Sequence, residues 1–525
     1  MADEPARGGG YLRLAGAALT LIRADALAPR ELDPLLPPGP RMLARTLRLL
    51  SGPEARRGRP GERLAAALER SGPVAIKLGQ VLSTRADIFG TEFADDLSRL
   101  KDQLAPFPTA EARAEIASAL GRSPDELFAT FDDAIAGASL AQAHAATLKD
   151  GRKVAVKVLR PDIERRVEAD IRAMRTAAGL AEAWAPAARR LEPRAFAETV
   201  ARALELELDL RFEAAGADEL RAVMAHDGYM RAPPVVWDGV ARRVLTLEWA
   251  PGQPLSDPAA LTQPGLDRKA LADNLIRAFL AQALDHGVFH ADLHEGNLFV
   301  GPPARLTAVD FGIVGRLGPG ERKYLAEILW GFLQRDYARV SAVHFEAGYV
   351  PAGQDPAAFA QALRAVGEPV FGQKAREVSM GRLLAQLFQI TALFDMRLRP
   401  ELVLLQKTMV TVEGVARRID PDHDIWAAAE PVVSRWIARE LSPANKVREL
   451  ARDARAALSA LARMAEAPAA AAPGAQPAPE PTEPRSDPTH PAIWFFAGAA
   501  ASALAFALAL QFRLVALLLR LAGAG

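Results

Sequence analysis

The residues most able to do chemistry lie in a short polar stretch before an apolar run. Asp292 is followed five positions later by Asn297, and Asp310 follows the apolar run and opens the sequence Asp-Phe-Gly. Carboxylate and amide oxygens are good Mg²⁺ ligands, and phosphoryl transfer needs metal-held phosphates and one acceptor near the attacking hydroxyl. We therefore expect Asn297 and Asp310 to bind Mg²⁺ beside ATP, and Asp292 to accept the proton of the nucleophile.

Histidines in the same stretch allow a different interpretation. His290, Asp292 and His294 have side chains that could bind zinc. A further ligand is not evident, and the other histidines are scattered along the chain. We prefer phosphoryl transfer, and a zinc hydrolase and a purely structural loop are the alternatives.

A lysine on a strand is the next part that this chemistry requires. Over residues 154–159 valines alternate with other residues, which predicts a β-strand, and the Asp-Gly dipeptide at 150–151 predicts a hairpin turn before it. Lys157 lies in this strand, where a kinase-type site holds the ATP phosphates. Its expected partner is a helix glutamate, and Glu213 lies in the long helical segment predicted over residues 192–224.

The loop that covers the phosphates departs from the usual glycine-rich pattern. Three spaced glycines would let backbone N–H groups close on the phosphates, but the loop before the lysine strand reads Ala136, Gly137, Ala138 and Ser139. We expect these residues to line the nucleotide site as a different kind of loop. A further strand is predicted over residues 243–249, and Glu248 lies where the chain between two lobes would offer backbone hydrogen bonds to adenine.

Taken together, these elements resemble the UbiB family of atypical kinase-like proteins, which is associated with ubiquinone biosynthesis. The resemblance also includes the Lys-Leu-Gly-Gln segment at 77–80 and the Glu-Leu-Asp segment at 207–209. It implies an ion pair between Lys157 and Glu213. Gly137 stands where the family more often has alanine, and we expect this change to alter nucleotide preference.

The resemblance assigns roles to residues that spacing alone does not explain. It implies that Lys77 and Gln80 belong to an N-terminal extension that packs over the active site and keeps protein substrates out. Glu207 and Asp209 would form the acidic pair that meets this extension. Helical geometry does not explain their acting together, because residues two apart point to different faces of a helix.

Length and element order predict several domains. A chain of 525 residues is too long for one hydrophobic core. Strands gather early and helices late, so we predict an α+β, two-lobed protein-kinase-like fold with a helical N-terminal extension and a C-terminal transmembrane helix. The predicted parts are a peripheral segment (1–60), the extension (61–130), an N-lobe (131–250), a helical C-lobe (251–465), a Pro/Ala-rich linker (466–490) and a membrane anchor (491–525).

The predicted transmembrane helix rests on one uncharged run. Residues 491–512 carry no charged side chain, and a helix over 493–512 would be about 30 Å long, enough to cross the hydrocarbon core of a bilayer. A buried core helix is the alternative, since such a helix is also apolar all round. The preceding linker cannot pack as a core and favours the membrane interpretation.

The amino-acid composition indicates in which cellular compartment the protein works and which partners it can bind. Lys and Arg number 64, as do Asp and Glu, so no overall positive charge points to nucleic acid. The absence of cysteine excludes disulfides and thiolate chemistry and fits a reducing compartment. With the resemblance, this predicts a bacterial inner-membrane protein with a cytoplasmic catalytic domain. Membrane lipids, prenylated quinone precursors and ubiquinone-biosynthesis enzymes are the expected partners, and a homodimer is left open.

Function is predicted in the same terms, with two alternatives. The leading hypothesis is an ATP-binding kinase-like protein or weak ATPase that supports ubiquinone biosynthesis. A small-molecule phosphotransferase would share the catalytic loop but would not need the segment at 77–80. A nucleotide-gated scaffold would organise biosynthetic enzymes without chemical turnover.

Overall fold

The protein is described from a computed structural model. The structure describes residues 8–26, 29–35, 38–56, 58–83, 91–98, 105–184, 193–371 and 400–440, together with residues 100, 390, 393, 394 and 396. The predicted linker (466–490) and membrane anchor (491–525) lie outside the described residues, as does the end of the predicted C-lobe after residue 440.

The N-terminal part of the chain is helical. Its helices are α1 (Gly8–Arg23), α2 (Pro38–Leu47), α3 (Pro60–Ser71), α4 (Pro73–Ser83), α5 (Thr91–Ser98), α6 (Thr109–Leu120) and α7 (Pro124–Leu127). Gly72 and Pro73 separate α3 from α4: Gly72 has a φ of 104°, which residues with side chains rarely adopt, and proline is well suited to begin the next helix. In α4, a Cβ on Gly79 would come 2.8 Å from the Leu68 side chain and would also overlap Leu100. Glycine at this position therefore lets α4 pack closely against α3.

An antiparallel sheet carries the predicted strand lysine. Strands β1 (Phe128–Gly137), β2 (Ala141–Leu148), β3 (Lys153–Leu159) and β4 (Val244–Glu248) lie side by side in that order. The predicted hairpin between β2 and β3 is confirmed, and Gly151 in its turn has a φ of 88°. Val154, Val156 and Val158 are fully buried on one face of β3. Because side chains alternate along a strand, Lys157 lies on the other face.

The helical segment predicted over residues 192–224 is two helices. After α8 (Ile163–Trp184) come α9 (Pro193–Glu207) and α10 (Leu210–Asp227). Asp209 caps α10, and its side chain accepts the N–H of Arg211 at 3.2 Å. This cap starts a new helix with its own phase. The prediction of one continuous helical segment is therefore wrong at this point: Leu204 and Leu208 are buried, but Phe212, beyond the break, is 60% exposed.

The remaining described elements form the C-terminal part and its loops. In chain order they are β5 (Gln253–Pro254), α11 (Arg268–Ala281), β6 (Val288–His290), β7 (Leu298–Gly301), β8 (Arg305–Ala308), β9 (Val314–Arg316), α12 (Pro319–Leu333), α13 (Tyr337–Glu346), α14 (Pro356–Phe371), α15 (Pro400–Ile419) and α16 (Ile425–Glu440). Helix α11 packs against α15 and α16, and a π-helical turn, Gln282–His286, leads from it into β6. Two small antiparallel sheets, β5-β7-β8 and β6-β9, flank the loops that carry the predicted catalytic and metal-binding residues.

The predicted fold class needs one correction, which concerns the transmembrane helix. Within the described ranges, no helix combines the length and the apolar character needed to cross a bilayer. The physical reason is charge: even α15, with 20 residues, contains Lys407, Glu413 and Arg417, and a charged side chain at the bilayer centre costs about 2.5–3.5 kcal/mol. The α+β arrangement stands without the transmembrane helix. Residues 493–512, on which that prediction rested, lie outside the described residues.

Candidate active site

An ion pair joins the sheet to helix α10 at the centre of the site. Lys157 Nζ donates to both carboxylate oxygens of Glu213, at 2.9 and 3.0 Å, and lies 3.6 Å from Asp310 Oδ1. Burial lowers the pKa of Lys157, but the carboxylates of Asp310 and Glu213 together raise it by more than burial lowers it. The pKa of Lys157 therefore lies above the ordinary value for lysine. Burial also raises the pKa of Glu213 to about 7, against the opposing effect of Lys157. A permanent cation is thus held between two acidic groups.

Asp310 stands in an unusual backbone conformation. Its φ is 60°, in the left-handed region, and its Oδ1 accepts the N–H of Gly312 at 3.3 Å. Phe311 is 1% exposed and lies against the ring of His290, with centroids 5.3 Å apart. Burial of Phe311 holds the strained residue before it, since such strain persists only where the surroundings fix it. The Lys157 ammonium lowers the pKa of Asp310, which keeps its carboxylate ionised.

His290 is a structural part of the predicted catalytic loop. It is fully buried, its Nδ1 accepts the N–H of Asp292 at 3.2 Å, and its Nε2 lies 3.2 Å from the Val309 carbonyl, to which it donates. Burial lowers the pKa of His290, so the ring is neutral. With both ring nitrogens used by the backbone, His290 has no lone pair for zinc. This removes one of the ligands on which the zinc interpretation depended.

Two hydrogen bonds position Asn297 and leave the oxygen of its side-chain amide, Oδ1, available to a ligand. Its side-chain Nδ2 donates to the backbone carbonyl of Asp292 at 2.9 Å, and its backbone carbonyl accepts the N–H of Val309 at 2.9 Å. Val309 immediately precedes Asp310, so Asn297 and Asp310 are held on adjoining segments. An amide oxygen and an ionised carboxylate are a donor set that fits Mg²⁺.

The extension meets the site through one lysine. Lys77 on α4 bonds to the Glu207 carboxylate at the end of α9, and the two side chains are 14% and 25% exposed. Glu207 also raises the pKa of Lys157 through its charge, after the larger contributions of burial, Asp310 and Glu213. Gln80 lies about one turn further along α4 and is half-buried. The extension is therefore connected to the central ion pair through Glu207.

Asp209 is not brought to Lys77. Its carboxylate pairs with Arg211 at 2.6 Å, and this hydrogen bond lowers the pKa of Asp209. The cause is the break between α9 and α10: Glu207 ends one helix, whereas Asp209 caps the next. Of the two acidic residues, the structure brings only Glu207 to the extension.

The predicted phosphate-covering loop lies at the tip of the β1–β2 hairpin. Ala136 and Gly137 end β1, and Ala138 and Ser139 follow as its turn. The Ala138 N–H donates to the Ala141 carbonyl at 2.8 Å, which closes the turn. Ser139 is buried. The role of these residues in nucleotide binding stays a prediction.

Glu248 ends β4, beside the connection to the C-terminal part. Its N–H donates to the Pro234 carbonyl at 2.9 Å, and its carboxylate pairs with Arg152 at 2.7 Å. The N–H is therefore used within the protein. A contact with adenine, which stays a prediction, would have to use another group of this segment.

Sequence reasoning missed the contribution of α15. The Thr408 hydroxyl is shared between the Ala291 carbonyl, directly before Asp292, at 3.0 Å and the Leu404 carbonyl of its own helix at 2.9 Å. Beside it, burial lowers the pKa of Lys407, while Asp292 opposes this effect and Lys77 adds to it. Lys407 is thus within electrostatic reach of both the catalytic loop and the extension. The available signal was a lysine in an otherwise apolar helical run.

Comparisons with known proteins agree with this arrangement. Residues 99–344 match the family described as "ABC1 atypical kinase-like domain", and residues 363–424 match "UbiB helical domain". "Probable protein kinase UbiB" of Marinobacter nauticus is 40% identical over 395 residues, which are 74% of this chain and 72% of that protein. The protein of the same name from Xylella fastidiosa strain M12 is 41% identical over 397 residues, again 74% and 72% of the two chains.

A solved structure is similar in fold. It is a Mycobacterium tuberculosis protein in complex with erythromycin, with a TM-score of 0.50 and 24% sequence identity. The match covers 70% of this chain and 93% of that one. At this identity the likeness concerns the fold alone.

Proposed function

The chain belongs to the UbiB family of atypical kinase-like proteins, and on that basis we propose that it binds ATP with Mg²⁺ and uses it, as a kinase or an ATPase, to support ubiquinone biosynthesis. The observation that carries the proposal is the Lys157–Glu213–Asp310 group, to which the extension is linked through Lys77 and Glu207. A kinase-type site needs this lysine–glutamate pair and the metal-binding aspartate in place together.

Each residue of the group has a separate task in nucleotide binding. Lys157 stays charged and attracts phosphate oxygens, and Glu213 fixes its ammonium. Asn297 and Asp310 would hold Mg²⁺, which neutralises charge on the ATP phosphates when bound. Asp292 is 37% exposed, so its carboxylate can receive a proton from an acceptor hydroxyl that enters from solvent.

The extension favours a small or membrane-borne acceptor over a protein. The bond from Lys77 to Glu207 holds α4 beside the site, and Lys407 is within electrostatic reach of Lys77 and of Asp292. A folded protein substrate would have to displace α4. We infer a phenolic, prenylated quinone precursor as the acceptor or activator, at the cytoplasmic side of the inner membrane, with membrane lipids and biosynthetic enzymes as partners.

ATP turnover by the purified full chain tests this function. We expect Mg²⁺-dependent turnover that increases when anionic vesicles and a phenolic quinone precursor are added. Asp310→Asn should abolish Mg²⁺-dependent stabilisation by ATP, because a neutral oxygen replaces the carboxylate. Asp162→Asn is the matched control, since Asp162 shares the left-handed backbone with a φ of 54°.

Two outcomes would change the proposal. Undiminished Mg²⁺-dependent stabilisation of Asp310→Asn by ATP would show that the metal site is elsewhere. Nucleotide binding without turnover under every lipid and substrate condition would replace the enzyme by the nucleotide-gated scaffold.

A further inference from the structure

A second group of metal-ligating side chains lies at the opposite end of helix α10 from Glu213. His226 and Asp227 are the last residues of α10, and His286 ends the π-helical turn before β6. One ligand atom from each of the three lies within 4.8 Å of the others. Two segments that are distant in sequence therefore bring imidazole and carboxylate groups together.

The distances from the Asp227 carboxylate to the two imidazoles are compatible with a tetrahedral metal. His226 Nδ1 lies 3.1 Å from Asp227 Oδ1, and His286 Nε2 lies 3.2 Å from both oxygens of Asp227. Zinc bonds of about 2.0–2.1 Å set ligand atoms at tetrahedral corners about 3.3 Å apart. The two distances to Asp227 are thus close to those between ligands of a bound ion, and the two imidazole nitrogens lie within 4.8 Å of each other.

The Asp227 carboxylate gives a second indication of a ligand. Its side chain is 7% exposed, and its buried Oδ2 makes no hydrogen bond of acceptable geometry, although His286 Nε2 lies 3.2 Å away. A buried carboxylate oxygen without a well-aligned donor is costly, and a cation would satisfy it. The residue also ends α10, where the partial negative charge of a helix C-terminus favours a cation.

We propose that His226, Asp227 and His286 form a site for a zinc-class divalent cation, separate from the nucleotide site. His226 binds through Nδ1 and His286 through Nε2, so each neutral ring carries its proton on the other nitrogen. Asp227 binds through its carboxylate.

Water completes the tetrahedron. His226 is 76% exposed on its side chain, which gives solvent access to the ion. The neighbouring acid Asp285 is not a fourth ligand, because Arg435 and Arg439 hold its carboxylate.

The ligand types select the metal. Mg²⁺ prefers oxygen ligands and octahedral geometry, so the ion that serves ATP would not compete effectively at two imidazoles. Late first-row divalent ions bind imidazole well, and zinc accepts tetrahedral sites.

A bound ion would clamp the end of α10 to the segment that enters the catalytic loop. Helix α10 carries Glu213, and His286 precedes His290 by four positions. The clamp would therefore join the two elements that bear the central ion pair and the catalytic loop.

Metal titration of the full chain, purified in detergent and stripped with a chelator, tests the site. Calorimetry with Zn²⁺ should show one equivalent per chain, and Co²⁺ as a substitute should give the visible absorption of a tetrahedral complex. Asp227→Asn and His286→Gln should weaken binding by at least about 100-fold, since even outer-shell changes cost 10–100-fold.

An exposed ligand separates binding from folding. Because His226 is largely exposed, His226→Asn should melt like the wild type without metal but lose the increase in melting temperature that Zn²⁺ produces. Asp292→Asn and Asp310→Asn are the controls, and each should still bind one equivalent of Zn²⁺ per chain. Absence of stoichiometric binding in the wild type, its survival in both His226→Asn and His286→Gln, or its loss in Asp310→Asn would each overturn the proposal.

Discussion

The contact between Lys77 and Glu207 can be tested by removing its charge. In Lys77→Ala, Glu207 loses its partner while Lys157, Glu213 and Asp310 keep theirs. Breaking a fully buried ion pair costs about 3–5 kcal/mol, and an exposed pair is worth about 0–1 kcal/mol. With side chains 14% and 25% exposed, this pair lies between the limits, at about 2 kcal/mol. That corresponds to a population of displaced extension about 30 times larger, at about 1.4 kcal/mol for each factor of ten.

Two measurements in parallel read out this displacement. Phosphate incorporation into the chain's own Ser and Thr residues should rise, because protein segments gain access to the site. Rescue of a ubiquinone-deficient strain should fall, because the extension would no longer shape the site for the small acceptor that we propose. Adding Asp292→Asn to Lys77→Ala should remove the increase in phosphate incorporation if this protein itself transfers the phosphate.

A double-mutant cycle with Glu207→Ala isolates the pair, and Arg211→Ala is the matched control. Arg211 also pairs with an acid of this region, Asp209, but has no contact with the extension through that pair. Lys77→Ala with wild-type phosphate incorporation and wild-type rescue would refute the occlusion argument. Additive effects of Lys77→Ala and Glu207→Ala would show that the two residues act separately.

Further predictions concern pH, the missed lysine and the phosphate loop. The pKa of Glu213 is raised from 4.5 to about 7, so its contribution to stability is complete below pH 4.5 and is lost as the pH rises through 7. Without nucleotide, the melting temperature of Glu213→Gln should therefore fall less than that of the wild type between pH 5 and pH 8. Equal falls in melting temperature would contradict this. Lys407→Met should keep or raise the melting temperature, because burial of an ammonium is costly. The same change should lower ATP turnover by about tenfold, equivalent to about 1.4 kcal/mol. Lys407→Arg is the control, and unchanged turnover in Lys407→Met would exclude a role near Asp292. Gly137 pairs in register with β2, so Gly137→Ala should stabilise the hairpin by about 0.4–1 kcal/mol. The change should also alter the ratio of ATP affinity to ADP affinity, which calorimetric titration with both nucleotides measures. A constant ratio would contradict the prediction.

Local patterns in the sequence predicted local structure well. The alternation around Lys157 and the Asp-Gly turn predicted the hairpin, because strand period and turn preference are properties of adjacent residues. The break at Asp209 was missed, although aspartate is a favoured helix N-cap, because one helical segment was predicted across residues 192–224. The resemblance paired Glu207 with Asp209, and only the observed break explains why their side chains part.

Contacts between distant segments were beyond the sequence patterns. Thr408 supports the carbonyl of Ala291 across 117 positions, and nothing in a threonine on an apolar helix face indicates this partner. Lys77 and Glu207 are 130 positions apart, and only the family resemblance predicted that they belong together. Such contacts follow from how α4, α9 and α15 pack, which depends on the whole core.

The two hydrogen bonds of His290 have a mechanical consequence. One ring nitrogen holds the backbone of Asp292, and the other holds Val309, the residue before Asp310. The buried ring thus ties the backbone of Asp292 to the backbone next to Asp310, and neither segment can shift by much without breaking a hydrogen bond to it. We therefore expect these two segments to move together whenever either of them moves.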